Sequence, residues 1–365
     1  MKNPYESLQI VETKEHPFTK RERLKAMEGP ILSWFYENSR TLPWRSKPTP
    51  YRVWISEIML QQTRVEAVKP YFERFMKELP DIKALAAVSE DRLFKLWEGL
   101  GYYNRARNLQ KSARLAVEKY EGRLPASYEK LLEFPGIGSY TAGAISSIAF
   151  GIAVPAVDGN VLRVISRVLA SGDDISKQSV KNAMEKDLSA VIPRENPGDY
   201  NQALIEVGAI LCIPNGEARC KICPLYSLCL ARQQNIVDRL PIKGEKKERR
   251  IENRTILLIE NEAEVVIRKR PDKGLLAGLY ELPNTESHLS RDEVKNFMKS
   301  EGLMEVEITP LEAARHIFSY VEWRMIGYRI QVKTKLPGHY QTAKKETVKK
   351  LYSFPTAFKA YTSRI

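Results

Sequence analysis

The chain has 365 residues, enough for two domains or three at most. Its 58 Lys and Arg exceed its 45 Asp and Glu, giving a net charge of +13. That excess favours a polyanionic partner, nucleic acid before an anionic membrane, although a basic protein without such a partner is an alternative on charge alone. Residues 1–23 lack the apolar core of a secretory signal, and the longest apolar run, residues 141–157, is shorter than the roughly 20 residues of a membrane span. A soluble intracellular protein is therefore expected.

Apolar periodicity predicts an all-α region up to about residue 235. The polar residues 1–20 show no clear periodicity and are interpreted as an N-terminal arm. The predicted helices are at 21–36, 51–79, 82–86, 89–97, 106–120, 140–152, 179–191 and 202–211, with a short one that ends at Glu133 and a strongly amphipathic one after Asp158.

The composition changes near Gln233, and the charged residues 241–253 are typical of a linker. Beyond it, strands are predicted at 256–259, 264–269, 279–282 and 321–332 and a helix at 291–300, so the second domain is expected to be α+β. The predicted organisation is an arm at 1–20, an all-α domain at 21–235, a linker at 236–252 and an α+β domain at 253–365.

Gly136 and Gly138 lie in a turn between two predicted short helices. Such a hairpin offers free backbone N–H groups and a helix N-terminus, which can hold a phosphate without reading sequence. Asp158 follows at the start of the next helix. A carboxylate a few residues beyond a phosphate-binding turn can reach the sugar attached to that phosphate.

All four cysteines, Cys212, Cys220, Cys223 and Cys229, lie within a C-x7-C-x2-C-x5-C pattern. Their clustering favours a metal site over a disulfide framework. Four thiolates with no neighbouring His can hold either a [4Fe–4S] cluster or a structural zinc, and the unequal spacing leans toward the cluster.

Two carboxylates are candidates for chemistry. Glu57 shares an otherwise apolar helix face with Trp54, so burial should raise its pKa and suit it to a general acid. Asp158, held ionised by helix N-terminal amides, would suit an electrostatic stabiliser or a nucleophile. One protonated and one charged carboxylate is the arrangement that cleaves glycosidic bonds. The alternatives are that Asp158 only caps its helix and that Glu57 pairs with an arginine such as Arg45 or Arg105.

The segments FPGIGSYTAGA, VDGN, SEIMLQQTRV and GLGYYNRARNL, together with the four cysteines, resemble adenine DNA glycosylases of the MutY family. That family belongs to the helix-hairpin-helix, endonuclease III-like superfamily. The resemblance is dense over residues 30–235 and weaker beyond them. It implies a multidomain protein with an all-α helix-hairpin-helix glycosylase domain, a loop at 212–229 that holds a [4Fe–4S] cluster, and an α+β MutT-like (Nudix-like) C-terminal domain.

The resemblance also implies roles for the catalytic residues. Glu57 would protonate N7 of adenine, Asp158 would stabilise or capture C1′ of the deoxyribose, and Asn160 would hold Asp158 in position. Tyr140 occupies the position where relatives that also nick the strand carry a Lys. A phenol cannot form a Schiff base, so Tyr140 predicts base removal without an efficient lyase step, and we expect it to donate a hydrogen bond toward Asp158.

The resemblance further assigns residues to substrate binding. Trp44, Arg45 and Gln202 would line the adenine pocket, and Gln62 and Tyr102 would enter the stack that adenine leaves. The cysteine loop has seven residues between its first two cysteines, where the family usually has six.

The C-terminal domain resembles the family's MutT-like module but lacks the carboxylate-rich helix of a hydrolytic Nudix site, so it is expected to recognise rather than hydrolyse. The family reads 8-oxoguanine with a Phe-Ser-His loop, and here the loop is Phe318-Ser319-Tyr320. Tyr320 departs from that pattern and is expected to weaken discrimination between oxidised and normal guanine. Trp323 is interpreted as ordinary strand packing.

The predicted function is that of a monofunctional adenine DNA glycosylase acting on double-stranded DNA with 8-oxoguanine:adenine or guanine:adenine mispairs. A monomer in the bacterial cytoplasm, associated with the nucleoid and not with a membrane, is expected. The alternatives are a bifunctional oxidised-pyrimidine glycosylase and lyase, a noncatalytic DNA-binding helix-hairpin-helix protein, and a nucleotide hydrolase acting through the C-terminal domain.

Overall fold

The structure is a computed structural model that describes residues 18–244 and 248–365. These residues form two compact units, one of residues 18–86 and 108–244 and one of residues 87–107 and 248–365. Except for residues 18–20, the predicted N-terminal arm lies outside the described residues. In the part of the chain that the structure describes, no helix combines the length and apolar character that crossing a membrane requires.

The described residues form helices and strands in the following chain order. The helices are α1 (Lys20–Ala26), α2 (Glu28–Asn38), α3 (Pro50–Leu60), α4 (Val65–Glu78), α5 (Ile82–Ala87), α6 (Glu90–Trp97), α7 (Asn104–Tyr120), α8 (Tyr128–Leu132), α9 (Ser139–Ala144), α10 (Gly159–Val168), α11 (Gln178–Ser189), α12 (Pro197–Ile210), α13 (Leu230–Gln233), α14 (Arg291–Ser300), α15 (Lys345–Leu351) and α16 (Lys359–Thr362). The strands are β1 (Arg250–Glu260), β2 (Glu264–Lys269), β3 (Tyr280–Glu281), β4 (Asn284–Glu286), β5 (Val306–Ile317), β6 (Val321–Val332) and β7 (Gln341–Lys344).

The all-α prediction for the N-terminal region is confirmed. Between residues 18 and 244 the structure has helices and no β-strand, apart from one isolated β-bridge between Asp174 and Ile242. Two predicted helices are each divided. The helix predicted at 21–36 breaks at Met27, since Pro30 has no N–H to donate to Ala26. The helix predicted at 51–79 breaks after α3, where Gln62 adopts a positive φ of 59°. The sequence has no glycine or proline at this point that would have predicted the break.

The start of α10 packs closely against α12. The helix predicted at 140–152 is present, but only its first part, α9, is α-helical, and it continues as a π-helical stretch at Ile145–Ala149. Helix α10 buries Val161 and Ile165 against Leu204 of α12. A Cβ on Gly208 would lie only 2.6 Å from Cβ of Asn160, so glycine is what lets α12 approach the start of α10 this closely.

The predicted linker at 236–252 is too long at both ends. Leu240 is buried with Ala170 and Ala231, and the carbonyl of Ile242 accepts a hydrogen bond of 3.1 Å from N–H of Ile175. At the other end, β1 already begins at Arg250. Charge density predicted the linker but gave no sign of its packed ends.

The second unit contains a mixed sheet with strand order β3-β2-β1-β6-β5, in which β4 pairs with β1 and β7 pairs with β2. Strands β1 and β6 are parallel, and the other pairs are antiparallel. Along β1, Ile256 and Leu258 face a cluster with Phe358, while Leu257 and Ile259 face a cluster with Met298 of α14. The sheet is thus covered on both faces, which confirms the α+β prediction.

Strands β2 and β6 and helix α14 have the predicted bounds. Strand β5 and the elements β7, α15 and α16 were not predicted. Strand β5 lies at the sheet edge, and most of its residues are exposed or half-buried, so it shows no clean apolar alternation.

Candidate active site

A cavity in the first unit brings together residues from four parts of the chain. Glu57 and Tyr140 line it with Trp44, Arg45 and Gln202, the three residues predicted to form a base pocket. Trp44 packs edge-on against Phe72 with ring centroids 5.4 Å apart, which fixes one apolar wall. A pocket with an aromatic wall and a few convergent polar groups suits a flat heterocycle. The lining also includes Arg40, Leu42, Ile148, Gly198, Ile205 and Glu206.

Glu57 projects into this cavity from α3 and is only 7% exposed. Its Oε2 accepts a hydrogen bond of 2.5 Å from the phenol of Tyr140. Burial raises the pKa of Glu57 to about 7, the hydrogen bond from Tyr140 opposes that rise, the charge of Asp158 adds to it, and the charge of Arg45 opposes it. A carboxyl group with a pKa near neutrality can donate a proton in the physiological range.

Tyr140 lies in the first turn of α9, directly after the glycine hairpin. The prediction that its hydroxyl donates a hydrogen bond toward Asp158 named the wrong acceptor, because the hydroxyl donates to Glu57. Desolvation raises the pKa of Tyr140 well above 10, and the charges of Glu57 and Asp158 raise it further. The phenol therefore stays protonated and acts as a hydrogen-bond donor.

Asp158 is the N-cap of α10, as the capping alternative predicted. Its Oδ1 accepts from the backbone N–H groups of Asn160 and Val161, both at 2.8 Å. Burial raises the pKa of Asp158, and the hydrogen bonds from Val161 and Asn160 with the charge of Arg163 oppose that rise. The amides therefore reduce the effect of desolvation without reversing it. Capping leaves Asp158 close enough to Glu57 for their charges to interact.

Asn160 contacts Asp158 in the predicted manner. Its side-chain Nδ2 donates to Oδ2 of Asp158 at 2.7 Å, and its Oδ1 accepts from Nη2 of Arg163 at 2.9 Å. An arginine can only donate, so this contact fixes which end of the amide faces Asp158. The close approach of Gly208 restricts Asn160 further.

The pairing of Glu57 with Arg45 that was considered from the sequence is not the ion pair that forms. Arg45 donates through Nη2 to Oε2 of Glu206 at 2.8 Å. Arg105, the other partner considered, donates to the carbonyls of Leu100 and Gly101.

The glycine hairpin connects α8 to α9. Gly136 has a φ of 80°, and a Cβ there would lie 2.8 Å from Cβ of Asn108, so the turn requires glycine. Gly138 is the N-cap of α9 and is exposed. The exposed turn ahead of α9 has the form that phosphate binding needs, and phosphate binding stays a prediction.

Gln62 and Tyr102 both occupy exposed bends with positive φ, 59° and 49°. Gln62 lies in the first unit and Tyr102 in the second. Five other described residues besides glycines also have positive φ, so this backbone conformation alone does not mark the two residues as a site.

The four cysteines line one cavity. Among the described residues, no group of three His, Cys, Asp or Glu side chains converges as a single bound metal ion would require. Nη1 of Arg167 lies 3.2 Å from Sγ of Cys212. Burial raises the pKa of Cys223 to about 12. The thiol of Cys223 would therefore become a thiolate only when a positively charged group binds to it. Four thiols around a shared cavity beside a guanidinium fit a group larger than one ion.

Comparison with known proteins identifies the family. Residues 55–190 match the HhH-GPD superfamily base excision DNA repair protein family, and residues 255–364 match the NUDIX domain family. The adenine DNA glycosylase of Homo sapiens is 33% identical over 390 residues, which cover 90% of this chain and 71% of that one. The adenine DNA glycosylase of Buchnera aphidicola subsp. Baizongia pistaciae is 34% identical over 80% of this chain and 82% of its own. The chain belongs to the adenine DNA glycosylase family.

Solved structures agree with this fold. A thermostable thymine-DNA glycosylase has a TM-score of 0.52 at 28% identity, covering 58% of this chain and 97% of its own. An endonuclease III in a non-covalent complex with DNA has a TM-score of 0.51 at 26% identity, covering 60% and 99%. Both likenesses support the endonuclease III-like fold.

The predicted recognition loop of this adenine DNA glycosylase family member connects β5 to β6 in the second unit. Phe318 is half-buried, with its ring centroid 4.9 Å from that of Trp323, while Ser319 is exposed and Tyr320 is 75% exposed. Trp323 is fully buried, which confirms its interpretation as strand packing.

Sequence reasoning missed Glu206, Arg40 and Ile148, which also line the base pocket. Glu206 stands four residues after Gln202 on α12, so the helical period placed both on one face. Ile148 reaches the pocket from the π-helical stretch, for which the sequence carried no signal.

Proposed function

We propose that this chain is a monofunctional adenine DNA glycosylase that removes adenine paired with 8-oxoguanine and, less efficiently, with guanine, within base excision repair. The observation that carries the proposal is a pair of interacting carboxylates, of which Glu57 lines the pocket. Glu57 has a pKa of about 7 where it lines the cavity, and Asp158, close enough to interact with it electrostatically, receives three hydrogen bonds suited to an anion.

In the proposed mechanism Glu57 donates its proton to N7 of adenine. The bond between C1′ and N9 then breaks, and its electron pair leaves with the base. The positive charge that develops on the sugar is stabilised by the carboxylate of Asp158, which also captures C1′ if a covalent intermediate forms. Water adds to C1′, and the proton it loses restores Glu57. Tyr140 and Asn160 hold the two carboxylates while charge moves between base and sugar.

Base binding in the proposal uses the residues already in the pocket. Trp44 supplies an apolar wall, and Arg45 and Gln202 supply hydrogen-bond donors. Gln62 and Tyr102 would occupy the stack that the flipped adenine leaves. Their exposed bends leave both side chains available for that contact.

The absence of an amine at position 140 favours base removal alone. A lyase needs a nucleophilic nitrogen to form a Schiff base with the sugar, and Tyr140 offers a protonated hydroxyl engaged with Glu57. The bifunctional alternative predicts strand nicking without added base or heat. The noncatalytic alternative does not explain a raised carboxyl pKa in a pocket with an aromatic wall and convergent polar groups.

DNA binding in the proposal rests on the net charge and on the hairpin of Gly136 and Gly138, so affinity should fall steeply with salt. Phe318, Ser319 and Tyr320 would contact the 8-oxoguanine. A monomer in the bacterial cytoplasm, associated with nucleoid DNA, fits a protein that searches duplex DNA.

We further propose that Cys212, Cys220, Cys223 and Cys229 hold a [4Fe–4S] cluster. When bound, the cluster would supply a covalent cross-link that stabilises the fold of the 212–229 loop. Arg167 would donate to the thiolate of Cys212, where it already lies 3.2 Å from Sγ. The loop also carries Arg219 and Lys221, whose charges suit DNA phosphates.

Single-turnover assays test the function on duplexes with adenine opposite 8-oxoguanine, guanine or thymine. Wild type should release adenine fastest opposite 8-oxoguanine and leave the strand intact until it is heated in base. Glu57→Gln should lose at least about a hundredfold in rate. Full activity of that variant would reject the mechanism.

A second assay tests the absence of lyase chemistry. Tyr140→Lys introduces the amine that a Schiff base requires, so borohydride should trap a covalent complex with this variant and not with wild type. Trapping of wild type to the same extent would favour the bifunctional alternative.

A further inference from the structure

A buried carboxylate in the wall of the base pocket has no role in the mechanism above. Glu206 lies on α12, and its side chain is 0% exposed. Its Oε1 accepts from the backbone N–H of Arg40 at 3.1 Å and from its Nε at 2.6 Å. Its Oε2 accepts from Nη2 of Arg40 at 3.0 Å and from Nη2 of Arg45 at 2.8 Å. One carboxylate thus receives donors from two guanidinium groups.

This arrangement fixes the side chain of Arg45 on several sides. Its Nη1 donates to the carbonyl of Arg40 at 2.9 Å, and its guanidinium lies 5.3 Å from the ring centroid of Phe35. Its Nε donates to Oε1 of Gln202 at 3.1 Å. Because Arg45 is only a donor, it holds the oxygen of the Gln202 amide and leaves the NH₂ group to donate to a base in the pocket.

The charge of Glu206 also matters for the acid. Two arginines line a pocket in which the reaction creates a cation, and a single buried carboxylate offsets part of their charge. The charged or titratable groups that act on Glu57 are Tyr140 from α9, Asp158 ahead of α10 and Arg45 from the loop before α3. Of these, Arg45 is the group bound to Glu206.

We propose that Glu206 is a positioning residue for base removal, which holds Arg45, and through it the amide of Gln202, and which offsets the positive charge of Arg45 beside the acid Glu57. This inference rests on the proposed adenine removal. Glu206 would then orient the amide of Gln202 and influence the pKa of Glu57 without touching the reacting atoms.

The test measures single-turnover adenine release opposite 8-oxoguanine between about pH 5 and about pH 9. In Glu206→Gln the charge of Arg45 is no longer offset, so Glu57 should lose its proton at lower pH. The alkaline midpoint of the rate should fall by about one unit, and the rate near pH 8 should fall about tenfold, while the rate below the midpoint changes much less. The exposed Glu195→Gln removes the same charge from a residue that does not line the pocket and should leave the profile unchanged.

Arg45→Gln gives the opposite sign. Removing the cation beside Glu57 should raise the alkaline midpoint, although the maximal rate falls because a pocket donor is lost. A general loosening of the fold would not shift the two variants in opposite directions. Circular dichroism melting shows whether each variant is folded.

The outcomes separate the inference from the proposed function. A folded Glu206→Gln with the wild-type midpoint overturns the inference, and if that variant does not fold, an unchanged midpoint in Arg45→Gln overturns it. If wild type releases no adenine, the proposed function fails. If wild type is active and Glu57→Gln is inactive, but the two midpoints do not shift in opposite directions, only the inference fails.

Discussion

The phenol of Tyr140 donates a hydrogen bond of 2.5 Å to Oε2 of Glu57, and this contact limits the rise in pKa that burial causes in the acid. Such a hydrogen bond favours the charged carboxylate, so it lowers a pKa that burial raises. The contact therefore helps to keep the pKa of Glu57 at about 7, so that the carboxyl group can both hold and release a proton near neutral pH.

Replacing Tyr140 by Phe should raise the pKa of Glu57, because the donor that stabilises the carboxylate is lost. The alkaline midpoint of single-turnover adenine release should rise by up to about one unit, which corresponds to the net free energy of one hydrogen bond. A pH profile of the rate measures the shift. A fall in the midpoint would contradict the assigned direction, and Tyr128→Phe, on the neighbouring α8, serves as a matched control.

Glu57→Gln should abolish activity and stabilise the fold at high pH. Glu57 has a folded pKa of about 7 against an ordinary value of 4.5, so the folded state binds more protons between these values and stability falls as pH rises through them. Above the folded pKa the cost is about 3 kcal/mol, and an amide does not incur it. Urea unfolding near pH 5 and pH 8 measures the difference.

The stabilisation by Glu57→Gln should be small at the lower pH and several-fold larger at the higher pH. The exposed Glu195→Gln should show no such dependence. Equal stability of wild type and Glu57→Gln at both pH values would mean that Glu57 titrates normally.

Asp158→Asn separates capping from chemistry. Asn keeps one side-chain oxygen for the two backbone N–H groups, but its NH₂ group cannot accept from Nδ2 of Asn160, so the free energy of unfolding should fall by about 1–3 kcal/mol and the protein should stay folded. Loss of the anion that faces the developing sugar cation should lower the rate of adenine release by at least about a hundredfold. Thermal melting and single-turnover kinetics give the two values. Retention of full activity would instead support the noncatalytic DNA-binding alternative.

Tyr320→His should increase the preference for adenine opposite 8-oxoguanine over adenine opposite guanine. Tyr320 is 75% exposed, so stability should change by no more than about 0.5 kcal/mol. The ratio of single-turnover rates on the two duplexes measures the preference, and the exposed Tyr36→Phe in the first unit is a control. An unchanged ratio would show that this position does not set discrimination.

Several parts of the site could be predicted from the sequence because they depend on local pattern. Apolar periodicity placed Glu57 on an inward helix face, and the position of Asp158 before an amphipathic stretch predicted its cap. The cysteine spacing predicted a common site, and the four cysteines do line one cavity. In the second unit, β2, which buries three consecutive apolar residues, and β6, which alternates along part of its length, were also predictable.

Other parts could not be predicted, because they depend on contacts between distant residues. Nothing in the periodicity shows that Tyr140 donates to Glu57, 83 positions away, or that Arg45 pairs with Glu206, 161 positions away. The break at Gln62 and the edge strand β5 escaped for a similar reason, since surrounding structure rather than local propensity stabilises both.

The sequence by itself determined the two-domain composition, the all-α and α+β character of the parts, and the residue types available for an acid, a sugar-facing anion and four thiolates. Periodicity and short-range spacing carry that information. Only the tertiary structure decided which groups meet. In it, Tyr140 donates a hydrogen bond to Glu57, and Arg45 forms an ion pair with Glu206. The pKa of Glu57 follows from those contacts and from burial, because the free energy of a charge depends on its surroundings and not on its place in the chain.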